Sequence, residues 1–347
     1  MAISGQRKPT QSDVAALAGV SPAIVSAVVN ARPAGNIRVS EATRERVRQA
    51  VRELGYVPNI AARNLARGRN HILGIFSYES VFPLESMNFY HEFLVGIEEA
   101  AEQAGYNLLM FSAAKTAGGG RSVYSDGGNS LQLADGSVLV GTHERPDEIA
   151  TLAQEQYPFV IIGRRAFPGA EVSYAAGDYA GGTRDAVKAL TRLGHQKIAM
   201  VRGVGEHESV VDRRAGFAQA RRRVAAANSP VRTLEDDRRA GRILTELVEA
   251  GVTAIIAEST EISQVLRRAA RRQGIGIPRR LSLLDLGGKA MADEPQISTL
   301  VIPRREMGRT AVQLLLKLLD DPTAGPLQST IPCQLKLTDS IGPPPDV

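Results

Sequence analysis

From His71 onward, short apolar runs alternate with longer amphipathic segments, and this alternation limits the fold more than any other feature of the chain. The strand-like runs cover 72–76, 107–111, 138–140, 159–162, 198–201, 254–257, 281–286 and 331–337. Helical segments over 93–104, 180–193, 239–250 and 261–273 each stop before a glycine: Gly105, Gly194, Gly251 and Gly274. Strand and helix in alternation specify parallel sheets with helices on both faces, and this many strands imply two such units. Open parallel sheets bind ligands beyond the carboxyl ends of their strands, so a two-lobed body puts its pocket between the lobes.

Residues 1–70 follow another pattern. Thr10 and Asp13 have the spacing of a capping box, and Val14, Ala15, Leu17 and Ala18 form an apolar stripe that Gly19 ends. Ser21 then offers a capping hydroxyl with Pro22 at the first helical position, and Val25, Val28 and Val29 continue at helical spacing. A third helix begins at Ser40, runs through Thr43, Val47, Ala50, Val51 and Leu54, and stops at Gly55. Two short helices joined by a tight turn and followed by a third read as a helix-turn-helix module. Asn59 can cap one more helix over 60–66, which carries Arg63 and a single large apolar residue, Leu65. It is too short to be stable alone in water and should order on a partner.

Charge divides at the same boundary. Residues 1–70 hold eleven Lys/Arg against four Asp/Glu, whereas the rest of the chain sets 31 against 33, so the formal +5 comes wholly from the first fifth. A small cationic module on a near-neutral body is what attraction to a polyanion requires, with nucleic acid the first candidate and an anionic membrane the second.

The string Thr10-Gln-Ser-Asp13-Val14-Ala15-Ala-Leu-Ala18-Gly19-Val20-Ser21-Pro-Ala-Ile-Val25-Ser26-Ala-Val28-Val29-Asn30 resembles the DNA-binding head of the lactose repressor family. Leu54-Gly55-Tyr56-Val57-Pro58-Asn59-Ile-Ala-Ala62-Arg63-Asn-Leu65 resembles the end of that head and the family's hinge helix. The similarity continues through Gly96-Ile97-Glu98-Glu99, Asp178-Tyr-Ala-Gly181, Leu193-Gly194-His195, Arg213-Arg-Ala-Gly216-Phe217 and Met307-Gly308-Arg309, and is weakest over 112–137. The resemblance implies an α/β chain: a three-helix helix-turn-helix domain over 1–57, a hinge helix and linker over 58–70, and a two-lobed body like a type I periplasmic binding protein over 71–347. Lobe 1 would take 71–174 and 303–331, and lobe 2 would take 175–302 and 332–341. It also implies a dimeric repressor of double-stranded operator DNA that responds to a small-molecule effector.

By the same resemblance the contacts to DNA are Thr10, Ser21, Pro22, Ala23, Ser26, Ala27, Asn30, Thr43, Tyr56, Asn59, Arg63 and Leu65, with Leu65 the wedge that unstacks the central base step. Positions 22, 23 and 27 usually show side chains to base edges. Here proline and two alanines stand there, which can give apolar contact to a thymine methyl but no bidentate hydrogen bond. The effector residues implied are Tyr78, Arg164, Asp178, Arg213, Ser259 and Arg304. Where sugar-binding members carry an Asn-Asp pair and a paired aspartate, this chain reads Ser259-Thr260 and Gly287-Gly288. Three arginines and fewer acids favour an anionic effector, unless Glu79, Glu85 or Glu258 approaches the cleft.

Other classes find little support in the residues. No run of about 18 apolar residues marks a membrane span, and the basic start has no apolar run of a signal peptide behind it. One cysteine, Cys333, allows no internal disulfide and suits the cytoplasm. No G-x-S-x-G, H-E-x-x-H or C-x-x-C occurs, and His195, between a helix-ending glycine and a strand, reads as a structural hydrogen-bonding residue rather than a catalyst. No enzyme activity, cofactor or metal is expected. The glycine-rich stretch 117–129 reads as a surface loop, and the proline-rich end offers no coiled coil for a tetramer, so the expected assembly is a homodimer.

Overall fold

The computed structural model describes residues 7, 9–29, 39–57, 69–79, 84–112, 120–125, 128–141, 145–167, 169–223, 229–288 and 297–345. Two compact units make up the chain, Met1–His71 and Ile72–Val347.

The first unit holds α1 (Gln11–Ala18), α2 (Pro22–Val29) and α3 (Glu41–Leu54). Both halves of the Thr10–Asp13 capping box form. Gly19, at φ 63°, closes α1 in the left-handed region that permits the tight turn into α2. Ser21 Oγ accepts from the Ile24 amide at 3.4 Å, and Ser40 Oγ accepts from the Thr43 amide at 3.2 Å. Val14, Val25 and Val47, one from each helix, are fully buried with Ala15, Ala18 and Ala50. Each such valine contributes roughly 1.5–3 kcal/mol, which is what lets helices this short persist. The helix expected over 60–66, with Asn59, Arg63 and Leu65, lies outside the described residues, as does Asn30.

The second unit contains two six-stranded sheets. Its strands are β1 (Ile72–Phe76), β2 (Asn107–Phe111), the short β3 (Tyr124–Ser125) and β4 (Gly128–Asn129), β5 (Gly136–Leu139), β6 (Phe159–Ile162), β7 (Tyr174–Asp178), β8 (Ile198–Arg202), β9 (Val231–Thr233), β10 (Ala254–Ala257), β11 (Ser282–Asp285), β12 (Ser298–Val301), β13 (Gln328–Pro332) and β14 (Gln334–Lys336). The first sheet runs β13-β7-β6-β5-β1-β2, all parallel. The second runs β14-β12-β11-β10-β8-β9, parallel except where β14 meets β12. Helices α4 (Leu84–Gln103), α5 (Pro146–Gln154), α6 (Tyr179–Arg192), α7 (Glu208–Arg223), α8 (Ala240–Glu249), α9 (Thr260–Arg272) and α10 (Arg304–Asp320) connect and cover them. Among the described residues no single helix is long and apolar enough to cross a membrane.

The chain passes between the sheets three times: after Asp178, after Val301 and at Cys333. The first crossing follows Tyr174–Asp178, a strand of the first sheet with Ala175 and Ala176 buried in it. The apolar run over 331–337 is divided at Cys333 between β13 of one sheet and β14 of the other. The glycine-rich stretch 117–129 is not a bare loop in its described part. Val123 is fully buried, and the Glu148 carboxylate accepts from the Val123 amide at 2.8 Å and from Ser122 Oγ at 2.8 Å.

Candidate functional site

Two surfaces hold the residues singled out by the sequence, one on each unit. In the head, proline at the first position of α2 and the small residues after it leave the first turn uncluttered: Ser21, Pro22 and Ala23 are exposed and Ser26 is half-buried. An unencumbered helix N-terminus with a hydroxyl beside it is suited to a phosphate. Ala27 differs from the expectation of a residue open to base edges, since it is 5% exposed. Thr10 is exposed, and its hydroxyl and amide both donate to Asp13, holding that carboxyl below its usual range. Thr43 Oγ1 lies 2.9 Å from Ser40 Oγ at the start of α3, and Tyr56 is half-buried against the core.

In the body, each sheet reverses its strand order at one point: β1 lies between β2 and β5, and β8 lies between β9 and β10. The loops leaving such switch points enclose a crevice. A cavity, partly open to solvent, is walled by Val140 and Gly141 after β5, by Arg164 and Arg165 after β6, by His207 just before α7 and by Asp212 within it. Phe89, Phe93 and Tyr179 line it with aromatic surface.

Of the six expected effector residues, only Arg164 lines this cavity. Its Nε donates to Asp212 at 3.2 Å and its Nη2 donates to the other carboxylate oxygen, so that carboxylate already occupies the guanidinium and raises its pKa. Arg213, one residue past cavity-lining Asp212, is 7% exposed and lies over the ring of Tyr179 at 4.7 Å. Arg304 is 8% exposed, lies over Phe89 at 5.2 Å, and donates to the carbonyls of Gly288 and Gly287 at 3.1 Å each; burial lowers its pKa. Asp178 and Ser259 serve as N-caps, accepting from the Gly181 amide at 2.7 Å and the Ile262 amide at 3.3 Å. Tyr78 donates its hydroxyl to Glu148 at 3.2 Å and packs edge-on against Phe76.

The acids also differ from the expectation of a cleft poor in carboxylates. Glu258, 2% exposed, is taken up by Arg214 at 2.7 Å and by the Gly203 amide at 2.9 Å. Glu79 accepts a hydrogen bond from the Tyr90 hydroxyl, and the side chain of Glu85 lies outside the described residues. Asp285, unmarked in the sequence, is 2% exposed and accepts from Thr260 at 2.9 Å, Thr299 at 3.1 Å and the Gly287 amide at 2.7 Å. Burial raises its pKa against those donors. Its signal was a carboxylate at the end of an apolar run, two residues before the glycines that drew notice.

His195 lies elsewhere, beneath the second sheet. Its Nδ1 is 2.8 Å from Thr253 Oγ1, and its Nε2 is 2.9 Å from the Gly342 carbonyl and 3.1 Å from Ser282 Oγ, a structural set of partners. Among the described residues no three His, Cys, Asp or Glu side chains converge as a metal-ligand set.

These features have clear counterparts in known proteins. A family model for bacterial regulatory proteins of the lacI family matches residues 10–59, and one for a periplasmic binding protein-like domain matches 187–341. The HTH-type transcriptional regulator CelR of Thermobifida fusca is 30% identical over 352 residues, covering 96% of this chain and 99% of CelR. The HTH-type transcriptional repressor CytR of Escherichia coli K12 is 28% identical over 340 residues, covering 95% and 96%. Among solved structures, a CelR–cellobiose complex matches with a TM-score of 0.61 at 27% identity over 96% of this chain and 99% of that one. The lac repressor dimer bound to operator and the anti-inducer ONPF has the same fold, with a TM-score of 0.68 at 23% identity over 96% and 99%. With a transcriptional regulator 30% identical along nearly its whole length, the chain belongs to the lacI family of bacterial regulatory proteins.

Proposed function

We propose that this regulator is a cytoplasmic repressor that binds a palindromic operator as a homodimer, and that a small molecule in the cleft of the body sets its affinity for DNA. The observation that carries the reading is the union, in one chain, of a capped helix-turn-helix with a separate body whose two sheets open their switch points onto one cavity. A CelR structure is a complex with cellobiose and a lac repressor structure is a dimer on operator DNA, which supports both halves of the reading. The reading assigns the chain no catalysis.

On this reading 1–57 is the DNA-binding domain, 58–70 the hinge and 71–347 the effector-binding and dimerising body. Ser21 and Ser26 donate to phosphate or base edges, Pro22 and Ala23 face the bases, and Thr10, Asn30, Thr43, Tyr56, Asn59 and Arg63 hold the backbone. Leu65 wedges the central step. Arg164 meets the effector in the cavity, Arg213 and Arg304 back its aromatic wall by stacking on Tyr179 and Phe89, and Asp178 and Ser259 fix the starts of α6 and α9.

Selection of bound DNA from a random pool tests this directly. Recovery of a palindrome, with a footprint distorted at its centre, is the expected result; uniform salt-sensitive binding without a footprint would exclude a sequence-specific repressor. Leu65→Ala should weaken specific binding more than nonspecific binding, and equal loss on both would discard the wedge. Because Pro22 and Ala23 offer only apolar contact, uracil in place of a contacted thymine should cost about 0.8 kcal/mol, the value of one buried methylene. Titration of the two duplexes measures it, and identical affinities would show that the methyl group is not read.

A further inference from the structure

We propose that two ion pairs between the loop after β6 and the start of α7 form a latch that holds the lobes of the body together over the cavity, and that this latch presets the open–closed balance on which an effector acts. It deepens the regulatory reading of the cleft, and its test uses no effector, so its failure leaves that reading standing. β6 is a strand of the first sheet, α7 connects β8 and β9 of the second, and the chain crosses between the sheets after Asp178, between the two halves of the latch. Arg164 grips Asp212 side-on, its Nε donating to one carboxylate oxygen at 3.2 Å and its Nη2 to the other. Arg165 Nη1 lies 3.5 Å from Glu208 Oε2, and the Ala166 amide donates to the other oxygen of Glu208 at 3.5 Å. Glu208 and Asp212 stand four residues apart and so share one face of α7, opposite two consecutive arginines.

Both halves stand on fixed supports. The Arg165 guanidinium donates to the carbonyls of Arg164 and Gly141 at 2.8 and 2.9 Å, and its side chain is 8% exposed. On the other side α7 lies so close to α6 that a Cβ on Gly216 would fall 2.4 Å from the Ala180 carbonyl oxygen, and α6 begins directly after the first crossing. The acids therefore cannot follow the arginines when the lobes part, and opening has to break the pairs. Arg164, Arg165 and Asp212 all line the cavity, so breaking them opens its wall. The side chains of Arg164 and Asp212 are 37% and 20% exposed, which lets each regain water on opening and makes the pair a modest bias rather than a lock. A ligand that prefers one lobe arrangement can overcome a bias of that size, whereas a much stronger contact would hold the body in a single state.

The chain has no tryptophan, so Phe89→Trp puts a single indole in the cavity wall, and quenching of its fluorescence by the neutral quencher acrylamide reads how open the cleft is. In the full-length protein, Asp212→Asn combined with Glu208→Gln keeps the side-chain shapes and removes both charges. That pair of changes should raise the quenching constant about two- to fivefold, the range expected for partly exposed ion pairs. Phe159→Trp, at a buried position of the first sheet, is the control and should not respond. Exchanging the charges, Arg164→Asp with Asp212→Arg, should restore most of the protection at position 89. No change at position 89 overturns the latch, and so does an equal rise at 89 and 159, which marks general loosening of the fold. Quenching in the exchanged variant as great as in the neutral one overturns the pairing of Arg164 with Asp212 as the holding contact. Amide hydrogen exchange over 164–166 and 206–209 in the tryptophan-free chain repeats the comparison with no probe in the cavity: faster exchange in the neutral variant is expected, and unchanged exchange overturns the proposal.

Discussion

His195 is 1% exposed and joins the end of α6 to Thr253, Ser282 and Gly342, so segments far apart in sequence meet on one imidazole. Burial pushes its pKa below the ordinary 6.5, partly offset by the Gly342 carbonyl. Above that value the ring is neutral in both folded and unfolded chains and contributes no pH dependence. Below it the unfolded chain takes up a proton that the buried ring resists, so stability falls with pH until the lowered folded pKa is reached. The melting temperature should therefore drop between about pH 7.5 and about 5.5. His195→Gln should lower stability by about 1–2 kcal/mol at the upper pH and shrink the drop. The drop would not vanish, because His207 is shifted the same way. An unchanged pH profile in the variant would show that His195 is not the group responsible. The sequence placed this histidine correctly between a helix and a strand, but its partners come from 58, 87 and 147 residues away, which no local pattern encodes.

Helix pairs are fixed by how closely their backbones can approach. Between α4 and α10 the approach is set by two glycines: a Cβ on Gly96 would fall 1.9 Å from the Arg305 carbonyl oxygen, and one on Gly308 would fall 2.2 Å from that of Phe93. Both obstacles are backbone and cannot rotate away. Gly308→Ala should force the helices apart at a cost of about 1–3 kcal/mol or more, lowering the melting temperature by roughly 2–4 °C per kcal/mol. Gly276→Ala, whose Cβ would make only an ordinary 3.4 Å contact with Arg279, is the control. Equal melting temperatures for the two variants would contradict the close-packing account. Patterning shows which elements can be read without a structure. Uninterrupted apolar runs such as 159–162 and 254–257 match their strands to the residue. β7, built on Tyr-Ala-Ala-Gly-Asp, and β12, built on Ser-Thr-Leu-Val, gave no apolar run, since one is made of small residues and the other is half polar. The long α7 showed no stripe because its arginines and small residues spread around the helix. The cleft's position followed from strand order, whereas the settings of Asp285 and of Arg213, stacked on Tyr179, depend on side-chain partners that only the packed structure defines.

For the molecule as a whole, the basic surplus and the candidate cleft lie in different compact units, so regulation requires a free-energy coupling between two sites rather than direct competition for one surface. Such coupling is reciprocal: if the effector changes operator affinity by some factor, operator must change effector affinity by the same factor, typically about 5- to 150-fold. The two sites also answer differently to salt. Operator binding draws on a head with eleven Lys/Arg and four Asp/Glu and should fall steeply as counterions are released, with a slope of about −0.9 per phosphate neutralised. A small molecule enclosed in the cleft should show a far shallower dependence, because it displaces no counterion atmosphere and buried contacts are poorly screened. Measuring each affinity with and without the other ligand, at two salt concentrations, closes the cycle. Equal coupling factors at each concentration, with a steep salt slope on the DNA legs alone, are expected. A cleft ligand that binds with the same affinity whether or not operator is present would remove it as the effector, however tightly it binds.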